Sequence, residues 1–214
     1  MPAAFDAPTL APHVAHLVKA LAPERVAKCD ALTAYVASLA KFGAHTDLVG
    51  AKTPQGLAEI ALADTLVLAR HEALCISPGW EIGAGGASLS VPLAILVDSF
   101  SGTMVEPRQK RATFLRLAAG ALGLAKRVTV DQSRVEPSQP PRAIAGCAFG
   151  RAVFAPDVWI PLAASVVREG CGFAVLTTDA IAPPDGYAMV ASDEYELPFA
   201  RAKRCVTWLR RVGA

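Results

Sequence analysis

Apolar residues recur at spacings of three and four along two segments in the first third of the chain. In the segment that runs from Pro23 to Gly43 they are Val26, Cys29, Leu32, Tyr35, Val36 and Leu39. In the segment that begins at Thr53-Pro54 they are Leu57, Ile60, Ala61, Leu66 and Leu68. These spacings predict two helices with one apolar face each, and Thr followed by Pro is typical of a helix start. Residues 1–20, which are rich in Pro and Ala, are predicted to be loosely ordered.

Beyond residue 76 the pattern changes to short apolar runs that alternate with helical segments. The predicted strands are Trp80–Ile82, Gly102–Val105, Arg127–Val130, Ile144–Phe149 and Gly172–Thr177. Helices are predicted after the first strand, from Pro107 to Gly123 and from Val158 to Val167. Such alternation is typical of a mostly parallel sheet with helices on both faces. The tail from Tyr195 to Arg211 is predicted to add an antiparallel edge.

These elements predict an α/β fold with an N-terminal helical cap. We expect residues 1–75 to form the cap and residues 76–214 to form a Rossmann-like cofactor-binding domain, the two together making one compact unit. A chain of 214 residues is long enough to bury a sizeable core.

The composition excludes several other classes of protein. With 53% hydrophobic and 19% charged residues the chain is globular, and a net charge of +2 does not by itself imply nucleic-acid binding. The five cysteines are scattered without a Cys-x-x-Cys pair, so neither a disulfide framework nor a zinc site is indicated. The longest aliphatic run, Val91–Val97, is far shorter than the ~20 residues that span a bilayer, and no signal peptide is recognised. We therefore expect a cytoplasmic protein with no membrane partner and no metal.

A glycine-rich turn follows the first predicted strand. Residues 80–95 read WEIGAGGASLSVPLAI, which is typical of a strand, a tight loop and a helix. Gly83, Gly85 and Gly86 would let a ligand reach backbone N–H groups, although glycines also serve tight turns for purely local reasons. Ser88 stands where a dinucleotide fingerprint has Gly or Ala, which disfavours a Rossmann oxidoreductase, and the Lys of a P-loop is missing.

Charged side chains follow several strands of the predicted sheet. Glu106 ends the second strand roughly 20 residues after the glycines, where such folds place a carboxylate that binds a ribose. It is equally placed to interact with the N-terminal dipole of the following helix. Glu81, Glu136 and Arg151 also lie near strand ends. Because ligands of open α/β sheets bind at the carboxyl ends of the strands, these side chains are predicted to face one crevice.

The chain resembles the RsmG (GidB) methyltransferases over roughly residues 25–178. Residues 81–95, EIGAGGASLSVPLAI, are similar to the first motif of that family, DVGSGAGFPGIPLAI. Further matches are Val105-Glu106-Pro107, Lys110-Arg111, Phe114-Leu115, Ser133–Glu136 and Gly150–Val153, and in the cap Leu32-Thr33-x-Tyr35, Asp47-Leu48 and Asp64–Leu66.

The resemblance implies a class I methyltransferase fold and S-adenosylmethionine as cofactor. Members of the family methylate N7 of a guanine in small-subunit ribosomal RNA, so ribosomal RNA or the small subunit is the implied partner. Carried over by position, Gly83, Gly85 and Ser88 line the methionine end, and Glu106 binds the ribose. Val135 and Glu136 contact the adenine, and Arg151 forms the far wall. No catalytic side chain is implied, because guanine N7 has a free lone pair and transfer requires alignment and desolvation rather than a general base.

Basic side chains at the start of the predicted helix after Glu106 are candidates for RNA contact. Arg108, Lys110 and Arg111 fit this role through the resemblance, and basic clusters commonly track a phosphate backbone. On a helix exterior the same residues are often a solvated face.

The chain departs from the family pattern at three places in the cap, Phe42-Gly43, Asp47–Val49 and Ile60-Ala61, where the family has Asn, Thr and His. These departures keep two alternatives open beside the ribosomal RNA methyltransferase. One is a catalytically degenerate relative that binds the cofactor or RNA, and the other is a methyltransferase that acts on a different substrate.

Overall fold

The computed structural model describes residues 5–43, 48–141 and 144–212. Its α-helices are α1 (Ala7–Leu21), α2 (Cys29–Gly43), α3 (Pro54–Leu68), α4 (Ser90–Leu96), α5 (Gln109–Ala121) and α6 (Pro156–Val166). Its strands are β1 (Gly79–Ile82), β2 (Gly102–Val105), β3 (Val128–Asp131), β4 (Ala145–Phe149), β5 (Val167–Thr177), β6 (Tyr187–Glu196) and β7 (Lys203–Arg211). Two 3₁₀ helices, Pro23–Lys28 and Ala69–Leu74, precede α2 and follow α3.

The seven strands form one mixed sheet in the order β3-β2-β1-β4-β5-β7-β6. Strands β1 to β5 are paired in parallel, while β7 is antiparallel to both β5 and β6. In the register Ile82 lies opposite Val105, and Val105 lies opposite Asp131, so β1, β2 and β3 end at the same edge. The predicted α/β fold with a mostly parallel sheet and an antiparallel edge is confirmed.

The antiparallel part of the sheet differs in detail from the prediction. It begins at Tyr187 rather than Tyr195, and the edge strand is β6, while β7 is inserted between β5 and β6. The burial of the two strands agrees with this arrangement. Residues 205–209 in the middle of β7 are all buried, whereas β6 alternates between half-buried and exposed positions.

The prediction that residues 1–20 are loosely ordered is wrong for residues 7–20, which form α1. Asp6 caps this helix by accepting a hydrogen bond from the backbone N–H of Thr9, and Pro8 lies in the first turn, where its missing N–H costs nothing. The buried face of α1 consists of Leu10, Val14, Leu17, Val18 and Leu21. Burial of this stripe outweighs the cost of Pro12 inside the helix.

Helices α1, α2 and α3 pack against one another before the sheet begins. As predicted, Thr53 caps α3, where its hydroxyl accepts a hydrogen bond from the N–H of Gly56 at 3.1 Å. Nearly all residues from Leu57 to Ala69 are buried, but Ile60 is 39% exposed and Val26, in the first 3₁₀ helix, is 55% exposed. The prediction that these two residues belong to the buried apolar faces is therefore wrong. The division of the chain at residue 75 stays a prediction.

Side chains alternate between the two faces of the sheet, as the period of two in a strand requires. Met104 and Phe149 belong to the apolar cluster under α1 to α5. Their neighbours Val105 and Ala148 belong to the cluster under α6. The sheet is therefore covered on both faces, and its carboxyl edge is left for a site. None of the described helices combines the length and apolar character needed to span a bilayer.

Candidate functional site

A cavity of about 480 Å³ opens at the carboxyl ends of β1, β2 and β4. Its walls come from four segments, each of which directly follows a strand of the parallel sheet. They are residues 81–87 with β1, residues 105–108 with β2, residues 133–136 after β3 and residues 151–154 after β4. Leu48, Val49, Ile60 and Arg111 complete the lining. The strand ends thus meet at one crevice, as the sequence predicts.

The loop after β1 is held against β2 by its own backbone. The N–H groups of Gly83 and Ala84 donate to the carbonyl of Val105 at 2.9 and 3.1 Å. Gly83 and Gly85 have φ values of +69° and +64°, which glycine adopts without strain. A Cβ on Gly83 would also lie 2.3 Å from Cγ2 of Val153. Both constraints require glycine at position 83.

Beneath this loop lies Glu81, a buried carboxylate. Its oxygens accept hydrogen bonds from the Ser88 hydroxyl at 2.6 Å and from the backbone N–H groups of Leu89 and Ser90 at 2.7 and 2.8 Å. Ser88 is fully buried and does not belong to the cavity lining. The family resemblance implies that Ser88 lines the methionine end of a cofactor, but the structure places its hydroxyl under the loop, where it supports the backbone above.

Glu106 lies beside the loop at the end of β2 and is only 3% exposed. One carboxylate oxygen accepts from the N–H of Gly85 at 2.8 Å, and the other accepts from the N–H of Arg108 at 2.8 Å. Each oxygen has a second lone pair that can accept a further hydrogen bond. Because Glu106 also lines the cavity, it can bind the hydroxyl groups of a ligand there.

The segment after β3 contains Val135 and Glu136, the two residues that the resemblance assigns to the adenine. Val135 is half-buried and packs against the cluster under α6, while Glu136 is exposed, and both line the cavity. The backbone carbonyl of Glu136 accepts a hydrogen bond from the N–H of Gln139, which closes a turn at the cavity rim. The structure thus brings an apolar side chain and a carboxylate to the side of the cavity opposite α3.

Arg151, which the resemblance assigns to the far wall, lines the cavity, and its guanidinium joins three segments. Nη1 donates to the carbonyl of Ile60 at 2.7 Å and to Asp64 at 3.0 Å, and Nη2 donates to the carbonyl of Ala87 at 2.7 Å. Helix α3 and the loop after β1 are therefore held together by one side chain.

Two residues of this wall are not predicted from the sequence to belong to the site. Asp64 is matched only as part of a family motif, and Tyr195 is predicted only to begin an edge strand. In the structure the Tyr195 hydroxyl donates to Oδ1 of Asp64 at 2.5 Å, while Oδ2 accepts from Arg151. Burial raises the pKa of Tyr195 well above its usual range, and the nearby charge of Asp64 adds to the effect. The one available signal was a carboxylate within the almost wholly apolar stretch of α3.

A second cavity of about 590 Å³ adjoins the first at the carboxyl end of β5. Ile60, Arg151 and Ala152 line both cavities, so Arg151 separates them. Further lining residues of the second cavity are Gly56, Glu59, Asp64, Leu176, Thr177, Thr178, Tyr195, Leu197, Ala200, Ala202, Arg204 and Cys205. Glu59 is already engaged there, because its carboxylate accepts hydrogen bonds from the N–H groups of Phe199 and Ala200.

The three basic residues predicted to contact RNA lie at the start of α5, beside the first cavity. Arg108 and Arg111 line that cavity, whereas Lys110 is exposed outside it. The structure therefore brings Arg108 and Arg111 to the first cavity and leaves Lys110 on the surface beside them.

The departures from the family pattern lie in different surroundings. Ile60 lines both cavities and Ala61 is buried behind it. Phe42 packs against Phe114 with ring centroids 5.3 Å apart. Asp47 lies outside the described residues. Within the described ranges no group of three or more His, Cys, Asp or Glu side chains is arranged to hold a metal ion.

Comparison with known proteins gives one consistent picture. The sequence model of the GidB family, rRNA small subunit methyltransferase G, matches residues 28–179. The ribosomal RNA small subunit methyltransferase G of Anaeromyxobacter dehalogenans strain 2CP-C is 27% identical, and the match covers 84% of this chain and 87% of that one. The protein of the same name from Anaeromyxobacter sp. strain Fw109-5 is 26% identical over 99% of this chain and all of its own length.

Solved structures share the fold at much lower identity. A methyltransferase from Geobacter sulfurreducens, solved in complex with S-adenosyl-L-homocysteine, superimposes with a TM-score of 0.56 at 14% identity and covers 72% of this chain and 92% of its own. One from Thiobacillus denitrificans, also in complex with S-adenosyl-L-homocysteine, gives 0.55 at 12% identity, with coverage of 72% and 93%. At these identities the likeness concerns the fold alone.

Proposed function

The chain belongs to the GidB family, rRNA small subunit methyltransferase G, and from this premise we propose that it transfers a methyl group from S-adenosylmethionine to RNA of the small ribosomal subunit. The observation that carries the proposal is the cavity at the carboxyl edge of the sheet, where the carboxylate of Glu106 meets the backbone of the glycine loop at Gly85. A cavity of about 480 Å³ is within the usual range for small-molecule sites.

The residues of the first cavity fit this cofactor. Gly83 and Gly85 leave the backbone bare beside the methionine end, and the free lone pairs of Glu106 accept hydrogen bonds from the ribose hydroxyl groups. Val135 offers an apolar surface to the adenine, and Glu136 at the rim can accept from its amino group. Arg151 closes the cavity on the side of α3. Ser88 acts indirectly, since its hydroxyl supports the loop through Glu81.

Methyl transfer to guanine N7 does not require the protein to act as a general base. When bound, S-adenosylmethionine supplies an electrophilic methyl group on a sulfonium centre. The acceptor N7 of guanine already has a lone pair, so the chain has to align the base, exclude water and hold the cofactor loop still. This agrees with a site built from hydrogen bonds to backbone and apolar walls.

The second cavity is the route by which the acceptor base reaches the cofactor. It adjoins the first cavity at Arg151, and Ile60, Leu176 and Leu197 give it apolar walls that displace water from a base. Bases that undergo chemistry leave the stack and enter such pockets. Arg108 and Arg111 line the first cavity and Lys110 is exposed beside them, so all three can contact the phosphates of the surrounding RNA.

Calorimetry with S-adenosyl-L-homocysteine, with NAD as the control ligand, tests the cofactor assignment. We expect a Kd in the micromolar range, which corresponds to about 8 kcal/mol, and no binding of NAD. Absence of binding to S-adenosyl-L-homocysteine would remove the cofactor assignment.

A second experiment tests the acceptor. Labelled methyl transfer is measured on small subunits, and on their free RNA, from cells that lack the guanine-N7 modification of this family. Incorporation at one guanine is expected. Cofactor binding without incorporation into either RNA would exclude small-subunit RNA as the substrate while leaving the cofactor site intact.

A further inference from the structure

Tyr195 lies in β6, outside residues 28–179, over which the chain matches the family. Its hydroxyl nevertheless reaches Asp64, which precedes it by 131 residues, with a hydrogen bond of 2.5 Å. The edge strand of the sheet is thereby joined to helix α3 at the wall between the two cavities.

Asp64 is held from two directions. The Tyr195 hydroxyl occupies Oδ1, and Nη1 of Arg151 occupies Oδ2 at 3.0 Å, while the Asp64 side chain is only 9% exposed. A carboxylate that is bonded on one side can still rotate about its terminal torsion, whereas one bonded on both sides has a single orientation. Tyr195 therefore decides the direction in which Asp64 presents its second oxygen to Arg151.

Arg151 connects the fixed carboxylate of Asp64 to the cofactor loop. Nη2 donates to the carbonyl of Ala87 at 2.7 Å, so the guanidinium lies between the loop and α3. Because the same side chain lines both cavities, a shift of its position changes the boundary at which a base would meet the cofactor. Misplacement of reacting groups by about 1 Å can cost on the order of 100-fold in rate.

We propose that Tyr195 is a positioning residue for methyl transfer, which acts through Asp64 to hold Arg151 at the boundary between the cofactor cavity and the acceptor cavity. The inference rests on the proposed function. It makes the C-terminal hairpin β6–β7 part of the active site. Burial in the wall raises the pKa of the Tyr195 hydroxyl, which keeps the donating proton in place at neutral and moderately alkaline pH.

The test compares Tyr195→Phe with a matched control, Tyr187→Phe. Tyr187 lies on the same strand but packs edge-on against Phe173, with ring centroids 6.0 Å apart, away from both cavities. The measurements are the single-turnover rate of methyl transfer to small-subunit RNA at saturating S-adenosylmethionine, the Kd for S-adenosyl-L-homocysteine and the unfolding midpoint. Tyr195→Phe is expected to lower the rate about 10-fold and to change the Kd by less than about threefold, and Tyr187→Phe is expected to change neither.

The route through Asp64 is tested by a double-variant cycle. If Tyr195 acts through Asp64, then Asp64→Asn combined with Tyr195→Phe transfers no more slowly than Asp64→Asn alone. Losses that multiply would overturn the inference, as would a Tyr195→Phe rate equal to that of the native chain. A loss confined to the Kd, or one explained by the unfolded fraction at the assay temperature, would also overturn it.

If the proposed function itself is wrong, the experiment gives a different result. In that case the native chain transfers no methyl group to small-subunit RNA, and this inference falls with the function on which it rests. If instead the native chain is active and Tyr195→Phe is equally active, the proposed function stands and only the role of Tyr195 is refuted.

Discussion

The hydroxyl of Ser88 donates a hydrogen bond of 2.6 Å to the carboxylate of Glu81, and both side chains are buried under the cofactor loop. Removing this hydroxyl with Ser88→Ala is expected to lower the free energy of unfolding by about 1.5–3 kcal/mol, the usual range for a bond to a charged group. Glu81→Gln is expected to cost more, because an amide has one acceptor oxygen for three donors. Urea denaturation measures both.

Ser90→Ala is the matched control for these changes. Among the described residues its hydroxyl has no hydrogen-bond partner although it is buried, while its backbone N–H is the group that donates to Glu81. Removal of the hydroxyl is therefore expected to leave stability unchanged or slightly raised. A loss for Ser90→Ala as large as that for Ser88→Ala would contradict the assignment.

A side chain at position 83 is expected to disturb the cofactor loop in two ways. Gly83→Ala places an L-residue at φ +69°, at a cost of about 1–2 kcal/mol, and its Cβ meets Val153. We expect the affinity for S-adenosyl-L-homocysteine to fall at least 10-fold by calorimetry. Adding Val153→Ala should restore part of the loss, since it removes the overlap but leaves the backbone strain.

Gly120→Ala gives the control for a glycine that no contact requires. Gly120 lies near the end of α5, and a Cβ there would meet nothing within 4 Å. Alanine is the better helix former by about 0.8–1 kcal/mol, so this variant is expected to be as stable as the native chain or more stable, with unchanged ligand affinity. Reduced affinity in Gly120→Ala would indicate that loss at position 83 is unspecific.

Glu106→Gln tests the ribose contact. The amide keeps one acceptor but loses the charge, so the Kd for S-adenosyl-L-homocysteine is expected to rise about 10-fold. The comparison ligand is an analogue that lacks both ribose hydroxyl groups. If Glu106 binds those groups, the native chain and the variant bind the analogue with nearly equal affinity. If the Kd values of the native chain and of Glu106→Gln differ as much for the analogue as for S-adenosyl-L-homocysteine, then Glu106 acts only by holding Gly85 and Arg108.

The basic residues at the mouth of the first cavity are expected to govern the salt dependence of RNA binding. Lys110→Gln should weaken binding for all RNA sequences and reduce the slope of log K against log salt by about one. Its affinity for S-adenosyl-L-homocysteine should not change, because Lys110 lies outside the cavity. Arg116→Gln, further along α5, is the control, since that guanidinium lies against Gln132. Equal loss of RNA affinity in both variants would indicate that RNA binding depends on total positive charge rather than on Lys110.

Stability is expected to fall in alkaline solution. Burial raises the pKa of the Cys75 thiol from its ordinary 9.0 to about 12, and burial also raises the pKa of Cys147. A group with a raised pKa stabilises the fold fully below its unfolded pKa, and this contribution is lost as pH rises towards the folded value. Between pH 9 and 12 ionisation of the Cys75 thiol should lower the free energy of unfolding by about 1.4 kcal/mol per pH unit, and ionisation of Cys147 should add to the decline.

Denaturation curves at pH 8, 9, 10 and 11 check this expectation. Cys75→Ala is expected to show a shallower decline than the native chain over the same interval, because one thiol no longer ionises on unfolding. Tyr35 and Tyr195, whose pKa values are also raised by burial, add to the slope above pH 10. A decline with equal slope in the native chain and in Cys75→Ala would exclude the thiol as a cause.

Local patterns were sufficient to predict most strands and the position of the glycine loop. Gly83 and Glu106 could be assigned because each sits at the end of a short apolar run, and the chain order of β1 and β2 fixes which edge they share. The N-terminal helix was missed because Pro8 and Pro12 suggested irregular structure, although the stripe from Leu10 to Leu21 has helical spacing.

The contacts that join distant segments could not be predicted from the sequence. Tyr195 and Asp64 are 131 residues apart, and their meeting depends on the insertion of β7 between β5 and β6. The resemblance places Ser88 at the cofactor by its position in the family motif, but the buried carboxylate of Glu81 gives its hydroxyl a structural partner. In both cases the side chain forms a hydrogen bond with a residue that only the tertiary fold brings close.

The position of β7 has a consequence for the order in which the sheet forms during folding. Synthesis runs from the N-terminus, and domains generally begin to fold in that order. Here β5 pairs with a strand that is made after β6. Until β7 docks, residues Gly172–Thr177 of β5 have one unpaired edge, and such an edge can recruit other chains. Slow docking of β7 should therefore favour aggregation of the folding chain.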